Sequence, residues 1–290
     1  MCLTGDVDDG REIPDATVRP LAELLSSYGV RMTFPVTASV LPEHHRRVEA
    51  LLDAGHEIAA HGDVHRAFRG PTETQTDRLQ AMQEAFERHL GFRPRGFRAP
   101  YLDHDPNTYG ALAAQGLDYD SSRVCKDPMT YLAAMIGSAH AFPIPARELP
   151  LLVGRYIVGR TAARPYLAAP GVVELPVFDL DDWFFYDFQG GPRLPPERSS
   201  EMARQWLSAL DHFRQQGGTL FNVQAHPRRI ARGLLPAIEE LIEGAKARGG
   251  EFLSLSDLRD RLWNDRKWRA RNVEPPRWLK ARPVPPSGHA

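Results

Sequence analysis

Short strand-like segments alternate with longer helix-like segments along most of this 290-residue chain. The strand-like segments are rich in β-branched and aromatic residues, as in RMTFPVT at 31–37 and VVELPVF at 172–178. Residues 15–28 are typical of the helix-like segments, with leucines at helical spacing and Gly29 just past the end. Because strands that alternate with helices pair in parallel through right-handed crossovers, this order predicts an α/β fold.

The number of strand-like segments favours a barrel over an open sheet. We predict a distorted (β/α) barrel of about seven to eight parallel strands. The remaining strand candidates are 2–7, 56–61, 96–100, 117–122, 220–226 and 252–255. The remaining helix candidates are 42–52, 72 or 74 to 90, 108–115, 196–215, 234–246 and 256–262.

One long segment, residues 123–171, contains several Pro and Gly residues and has no clean period. We interpret it as a loop insertion that packs over one end of the barrel, because long irregular segments in compact domains are usually functional loops. The predicted domain covers residues 1–265. Residues 266–290 are basic and Pro-rich and are predicted to form a surface tail.

Charge and hydropathy exclude some classes of partner. A net charge of −1 provides no basic field for nucleic acid or an anionic membrane. No run of 18 apolar residues exists, so we expect no membrane span. No signal-like segment precedes the first strand candidate, so we expect a cytoplasmic protein.

Cys2 and Cys125 cannot form a disulfide framework in a chain of this length, and we expect buried or inert thiols. The sequence does not indicate an oligomeric state.

Ionisable residues cluster where predicted strands end. HGDVH carries His61 and His65 four residues apart, a spacing that lets two imidazoles chelate a divalent metal. GDVDDG crowds Asp6, Asp8 and Asp9 after the first strand, and a metal or cation would relieve their mutual repulsion. The alternatives are a chance pair of histidines and a solvated acidic turn. What favours a site is that active residues of barrel enzymes lie at the C-terminal ends of strands.

Three further strand ends carry polar residues. Arg98 lies in GFRAPY, where it could hold a neighbouring carboxylate ionised, although a surface arginine is the simpler alternative. DLDDW at 179–183 follows another strand. His226 lies in QAHP and could act as general acid or base, although structural histidines are common. The succession of these residues at strand ends is more specific than any one of them.

Five segments in chain order resemble the motifs of the polysaccharide deacetylases, the NodB-homology family grouped as family 4 of the carbohydrate esterases. They are LTGDVDDG at 3–10, HGDVH at 61–65, RAPY at 98–101, DLDDW at 179–183 and QAH at 224–226. The resemblance covers residues 2–262 and is greatest for the subgroup of peptidoglycan deacetylases and allantoinase-like relatives. Gly62 stands where the family has a hydroxyl residue, and Gln224 stands where it has leucine.

The first motif can be aligned with the family in two ways. Matching LT makes Asp6 the catalytic base and Asp8 the metal ligand. Matching DDG makes Asp8 the base and Asp9 the ligand. We favour the first alignment, because D-x-D resembles the subgroup more closely, and Asp8 has a role under both.

The resemblance implies a divalent metal, with Zn²⁺ favoured and Co²⁺ or Ni²⁺ as alternatives. The resemblance implies that Asp8, His61 and His65 are the ligands, that Asp6 is the base and that Arg98 is the partner of Asp6. It implies that the backbone N–H of Tyr101 binds the oxyanion and that His226 is the acid. It also implies that Asp182 or Asp179 orients His226 and that Trp183 forms a wall of the substrate pocket. The implied activity is removal of an N-acetyl group from an amino sugar or polysaccharide, so the expected partner is an acetylated sugar or small amide. The alternatives are an allantoinase-like hydrolase of cyclic amides or ureides and a sugar-binding barrel without catalysis.

Overall fold

Eight strands form one sheet in the computed structural model, which describes residues 1–125, 164–178, 196–215, 217–218 and 220–272, with the backbone alone at 196–198 and 230–232. In chain order they are β1 (Cys2–Gly5), β2 (Thr33–Val36), β3 (Glu57–Ala60), β4 (Gly96–Phe97), β5 (Tyr119–Asp120), β6 (Tyr166–Ala169), β7 (Val172–Glu174) and β8 (Asn222–Ala225). Their spatial order is β6-β7-β5-β4-β3-β2-β1-β8. All neighbours pair in parallel except β6 and β7, which form an antiparallel hairpin.

The two ends of the sheet meet. Beyond β7, Phe178 pairs in parallel with Val223 of β8, and its N–H donates to the Asn222 carbonyl at 2.7 Å. Seven parallel strands thus surround a common interior, and β6 lies outside that ring. The predicted distorted (β/α) barrel is confirmed.

Helices cover the outside of the barrel. Those described are α1 (Asp15–Ser27), α2 (Leu41–Asp53), α3 (Thr72–Leu90), α4 (Pro106–Ala114), α5 (Pro196–Gln215), α6 (Leu235–Ala247), α7 (Leu255–Asn264) and α8 (Arg266–Arg271). Local residues determine where these helices begin and end. For example, α3 ends at Gly91, whose φ of 75° lies in the left-handed region, and Asp105 caps the start of α4. Within the described part of the chain, none is long and apolar enough to cross a membrane.

Strand periodicity separates two layers of buried side chains. Along β1, Leu3 belongs to the large apolar core and Cys2 to a smaller apolar cluster that also includes Leu255 of α7. Thr4 and Asp6 continue the Cys2 side of the strand toward its C-terminal end and are both buried. The barrel interior therefore changes from apolar at its base to polar where the strands end.

Three predicted boundaries differ from the structure. Residues 252–255 are not a strand, because Ser254 caps α7 by accepting a hydrogen bond from the Asp257 N–H at 3.2 Å. Tyr166–Ala169, which we expected within an irregular insertion, is β6. Arg266–Arg271, expected in the tail, is a short helix capped by Asp265. Residues 126–163 and 273–290 of these two expected segments lie outside the described residues.

Candidate metal centre and active site

Three side chains converge at the C-terminal ends of β1 and β3. Asp8 follows the bridge residue Val7, which pairs with Val36. His61 directly follows β3, and His65 lies one turn later. Asp8 Oδ1 is 3.3 Å from His61 Nε2 and 3.2 Å from His65 Nε2, and the three candidate ligand atoms lie within 4.8 Å of one another. This is the one group of three or more such side chains that could hold a metal among the described residues.

The turn between the two histidines requires glycine. Gly62 has a φ of +83°, a conformation that side-chain-bearing residues rarely adopt. A Cβ at this position would also lie 3.1 Å from Pro100 Cγ and 3.3 Å from the Val64 carbonyl oxygen. Gly62 therefore lets the chain turn sharply enough to bring His65 back beside His61.

The orientation of His61 leaves one nitrogen for a metal. Its Nδ1 lies 2.8 Å from the backbone carbonyl oxygen of Arg98, an acceptor, so Nδ1 carries the proton and donates it. The Nε2 lone pair then points toward Asp8. A ligand imidazole held by a carbonyl in this way is usual in metal sites, because the second hydrogen bond fixes both the ring and its tautomer.

The residues present fit a divalent cation. Asp8 Oδ1 is buried and accepts no hydrogen bond from the described residues, although it lies close to both imidazoles. Burial acts to raise the pKa of Asp8, but the adjacent His61 and His65 lower it more, so that its pKa lies well below the usual range. Two imidazole nitrogens and one ionised carboxylate are a donor set that zinc uses in catalytic sites.

Asp6 is a second buried carboxylate beside this group. Its Oδ1 accepts from Arg98 Nη1 at 2.7 Å, and its Oδ2 accepts from Gln224 Nε2 at 2.7 Å. Oδ2 also lies 3.9 Å from His61 Nε2. Arg98 is fully buried and is itself held by Ser121 through Nε and Nη2, each at 2.9 Å. Two charge-assisted donors therefore fix the plane of the Asp6 carboxylate.

Asp9 has a different environment. Its carboxylate accepts from the Arg11 backbone N–H at 2.8 Å and pairs with the Arg11 guanidinium at 2.6 Å. The same contact caps the short 3₁₀ helix Gly10–Glu12. Asp9 is 40% exposed, whereas Asp6 is 2% exposed, and it does not belong to the group with the two histidines. In this geometry Asp9 stabilises a turn.

His226 lies at the end of β8, next to β1. The two strands align Gly5 with Ala225, one residue before Asp6 and His226, so those two positions are neighbours. His226 Nε2 is 3.8 Å from Asp8 Oδ2. One side chain of the site thus comes from each of four strand ends: Asp8 from β1, His61 from β3, Arg98 from β4 and His226 from β8.

Glu12 is a buried acid beside the His226 turn that sequence reasoning missed. Its Oε2 accepts from the Arg228 N–H at 3.2 Å, near the start of the 3₁₀ helix Pro227–Arg232. Burial raises the pKa of Glu12 to about 7, although His226 and Arg228 act to lower it. Glu12 lies two residues after Gly10, in a segment with neither helical nor strand periodicity. The local sequence therefore did not indicate that Glu12 is buried beside the site.

Tyr101 lies beside the centre with unusual backbone geometry. Its φ is +58° and that of Leu102 is +55°, both in the left-handed region that bulky residues avoid. The Tyr101 ring is 62% exposed, with its centroid 4.3 Å from the His65 ring. Strain of this kind is retained where surrounding structure over-determines it, often at functional sites.

A polar cavity of about 450 Å³ opens next to Tyr101. Besides Tyr101 it is lined by Arg69, Leu102, Asp103, His104, Ser122, Arg123 and Val124. The predicted residues Asp179, Asp182 and Trp183 lie outside the described residues.

Comparison with known proteins gives consistent matches. Residues 3–119 match the model of the family described as polysaccharide deacetylase. A peptidoglycan deacetylase of Helicobacter pylori is 22% identical over 271 residues, 88% of this chain and 86% of that protein. A Mycobacterium smegmatis structure assigned to the polysaccharide deacetylases has a TM-score of 0.69 at 24% identity, covering 94% of this chain and 91% of the other. Puue allantoinase has a TM-score of 0.59 at 19% identity, covering 88% and 73%. The structural similarities concern the fold.

Proposed function

We propose that this chain is a metal-dependent hydrolase of the polysaccharide deacetylase type, whose family model matches residues 3–119, and that it removes the N-acetyl group from an acetylated amino sugar. The observation that carries the metal dependence is the group formed by Asp8, His61 and His65, with Asp6 and His226 beside it. Those three residues would hold a divalent cation, whose Lewis acidity would lower the pKa of a water nucleophile and polarise the amide carbonyl.

Asp6 is the proposed general base. Hydrolysis of an amide by water requires removal of a proton from the attacking water, and a carboxylate next to the ligand group can accept it. Arg98 donates to one oxygen of Asp6 at 2.7 Å and anchors that oxygen beside the ligand group. The other oxygen, Oδ2, lies on the side of His61 and is the proposed proton acceptor.

His226 is the proposed general acid. The amine that leaves a hydrolysed amide is a poor leaving group unless it is protonated, and an imidazole has a suitable pKa range for that transfer. His226 lies 3.8 Å from Asp8 Oδ2, so it faces the proposed reaction centre from the β8 side. Asp6 and His226 thus approach from neighbouring strand ends, as a base and an acid acting at one carbon atom require.

Tyr101 is proposed to bind the oxyanion and to contact the substrate. Its backbone N–H is the candidate donor to the tetrahedral oxygen, a role that preorganised amide groups commonly fill. Its exposed ring lies between the ligand His65 and the polar cavity of about 450 Å³. That cavity is wide enough for a sugar ring, and we propose that the acetylated sugar extends into it.

The direct test is release of acetate from N-acetylglucosamine oligomers by metal-loaded protein, with allantoin as a second substrate. Acetate release that chelation abolishes and added Zn²⁺ restores is the expected result. Hydrolysis of allantoin without acetate release would instead support the allantoinase-like alternative. Binding of the sugar with no turnover of either substrate would support the sugar-binding barrel.

A further inference from the structure

The inner face of β8 carries polar side chains at alternating positions. Asn222 donates to Ser121 Oγ at 3.0 Å, Gln224 donates to Asp6 Oδ2 at 2.7 Å, and His226 lies 3.8 Å from Asp8 Oδ2. Alternation along a strand places such residues on one side. The strand that ends in the proposed acid therefore also contacts the proposed base.

Gln224 acts on a single partner among the described residues. It is 5% exposed, and the one hydrogen bond that its side chain makes to the described residues is the bond from Nε2 to Asp6. Its Oε1 is buried and accepts nothing from the described residues. Any effect of the Gln224 amide on the proposed site therefore acts through its contact with Asp6.

The two donors to Asp6 come from different strands and hold different oxygens. Arg98 follows β4 and binds Oδ1, whereas Gln224 belongs to β8 and binds Oδ2. Arg98 alone leaves the carboxylate free to rotate about its bond to that nitrogen. A second donor on the other oxygen removes this freedom and fixes the distance between Oδ2 and the ligand group.

We propose that Gln224 is a positioning residue that holds the Asp6 carboxylate in register with the ligand group and with His226. This inference rests on the proposed function of Asp6 as the base. The leucine of the family motif, where Gln224 stands, would have no donor for this contact. Misplacement of a reacting group by about 1 Å can cost as much as 10²-fold in rate, which makes such a contact measurable.

The test compares Gln224→Met with Gln83→Met in the metal-loaded full chain. Met matches Gln in size and removes the donor. Gln83 on α3 is a matched control, because it is also buried and also donates one hydrogen bond, to the Gln115 carbonyl at 3.1 Å. We expect Gln224→Met to lower kcat by roughly ten-fold, with KM and metal content unchanged. Gln83→Met should lower the melting temperature and leave kcat unchanged.

A crystal structure of Gln224→Met gives a readout that does not depend on activity. We expect the Asp6 carboxylate to rotate about its contact with Arg98. An unmoved carboxylate, or a kcat within about two-fold of wild type, overturns the inference. If the wild-type protein releases no acetate, the proposed function fails, and the position of Asp6 in the variant still decides whether Gln224 orients it.

Discussion

His61 donates a hydrogen bond from Nδ1 to the backbone carbonyl of Arg98 at 2.8 Å. The side chain of that same Arg98 binds Asp6 at 2.7 Å. The residue that directly follows β4 thus contacts the proposed ligand through its backbone and the proposed base through its side chain. Because a substitution changes only the side chain, these two contributions can be separated by experiment.

Arg98→Lys should separate them. The lysine keeps the positive charge but loses the planar fork that reaches Asp6, Thr4 and Ser121 together. We expect the metal content to stay near wild type and kcat to fall by roughly 10- to 100-fold. Metal analysis and steady-state kinetics on the same preparation measure both. Loss of the metal would show that the side chain also supports His61.

The ligand assignment predicts the metal content of histidine variants. His61→Ala and His65→Ala each remove one of the three proposed ligands, so purified protein should lose most of its bound divalent ion. His89→Ala on α3 is the control, because His89 belongs to no candidate metal group of the described residues. Elemental analysis of the three variants provides the measurement. Retention of the full metal complement in either ligand variant would exclude this centre.

Asparagine variants of the three neighbouring aspartates decide between the two alignments of the first motif. Asp8→Asn should lose the metal, since a neutral amide is a weaker ligand than a carboxylate. Asp6→Asn should retain the metal and lose most of its kcat, because the amide cannot accept the proton. Asp9→Asn should change the metal content and kcat little, because Asp9 contacts Arg11. Metal loss confined to Asp9→Asn would instead make Asp9 the ligand and Asp8 the base.

The role of His226 is testable by truncation. His226→Ala should lower kcat by about 10²–10⁴ and leave the metal content unchanged, because an acid acts on the leaving group and not on the ligands. Steady-state kinetics with a substrate carrying a better leaving group, such as an activated anilide, should recover part of the loss. An equal defect on both substrates would contradict the assignment as acid.

The buried imidazole of His56 leads us to predict that the stability of the fold depends on pH. This effect is separate from the candidate site. Both of its ring nitrogens are buried and have no hydrogen-bond partner among the described residues, and burial, with a smaller effect of Arg31, lowers its pKa from 6.5 to about 4. Between these values the unfolded chain binds a proton that the folded protein does not, so stability falls as the pH drops below about 6.5. At pH 5 the loss from this group is about 2 kcal/mol. His56→Leu should remove it, as measured by urea unfolding at pH 7.5 and 5.

Much of the fold was predictable because local periodicity and end signals agreed with the tertiary structure. α1 was predicted at 15–28 and covers Asp15–Ser27, since its apolar stripe and Gly29 both mark it. The strand Tyr166–Ala169 was missed because YLAA has no alternation and lies among Pro and Gly residues. FLSL at 252–255 resembles a strand because three of its four residues are apolar, whereas Ser254 caps a helix that begins at Leu255.

The contacts within the site were less predictable than the residues themselves. Strand ends and the histidine spacing identified Asp8, His61 and His65 as candidates, because both signals are local. The contact from Gln224 to Asp6 joins residues 218 positions apart. It depends on the parallel pairing of β8 with β1, which no local pattern encodes. Glu12 was missed for the same reason, since its partner Arg228 also follows β8.

The closure of the barrel has a consequence for how such a protein can diversify. The strands that carry the candidate ligands, base and acid form one continuous arc, β8-β1-β2-β3-β4, within the sheet order. The other two strands of the ring, β5 and β7, lie between β4 and β8 and carry none of these candidate residues. Ser122, Arg123 and Val124, which follow β5, line the polar cavity. The residues that shape the proposed substrate cavity after β5 can therefore change while the strand register of the proposed hydrolytic centre stays fixed.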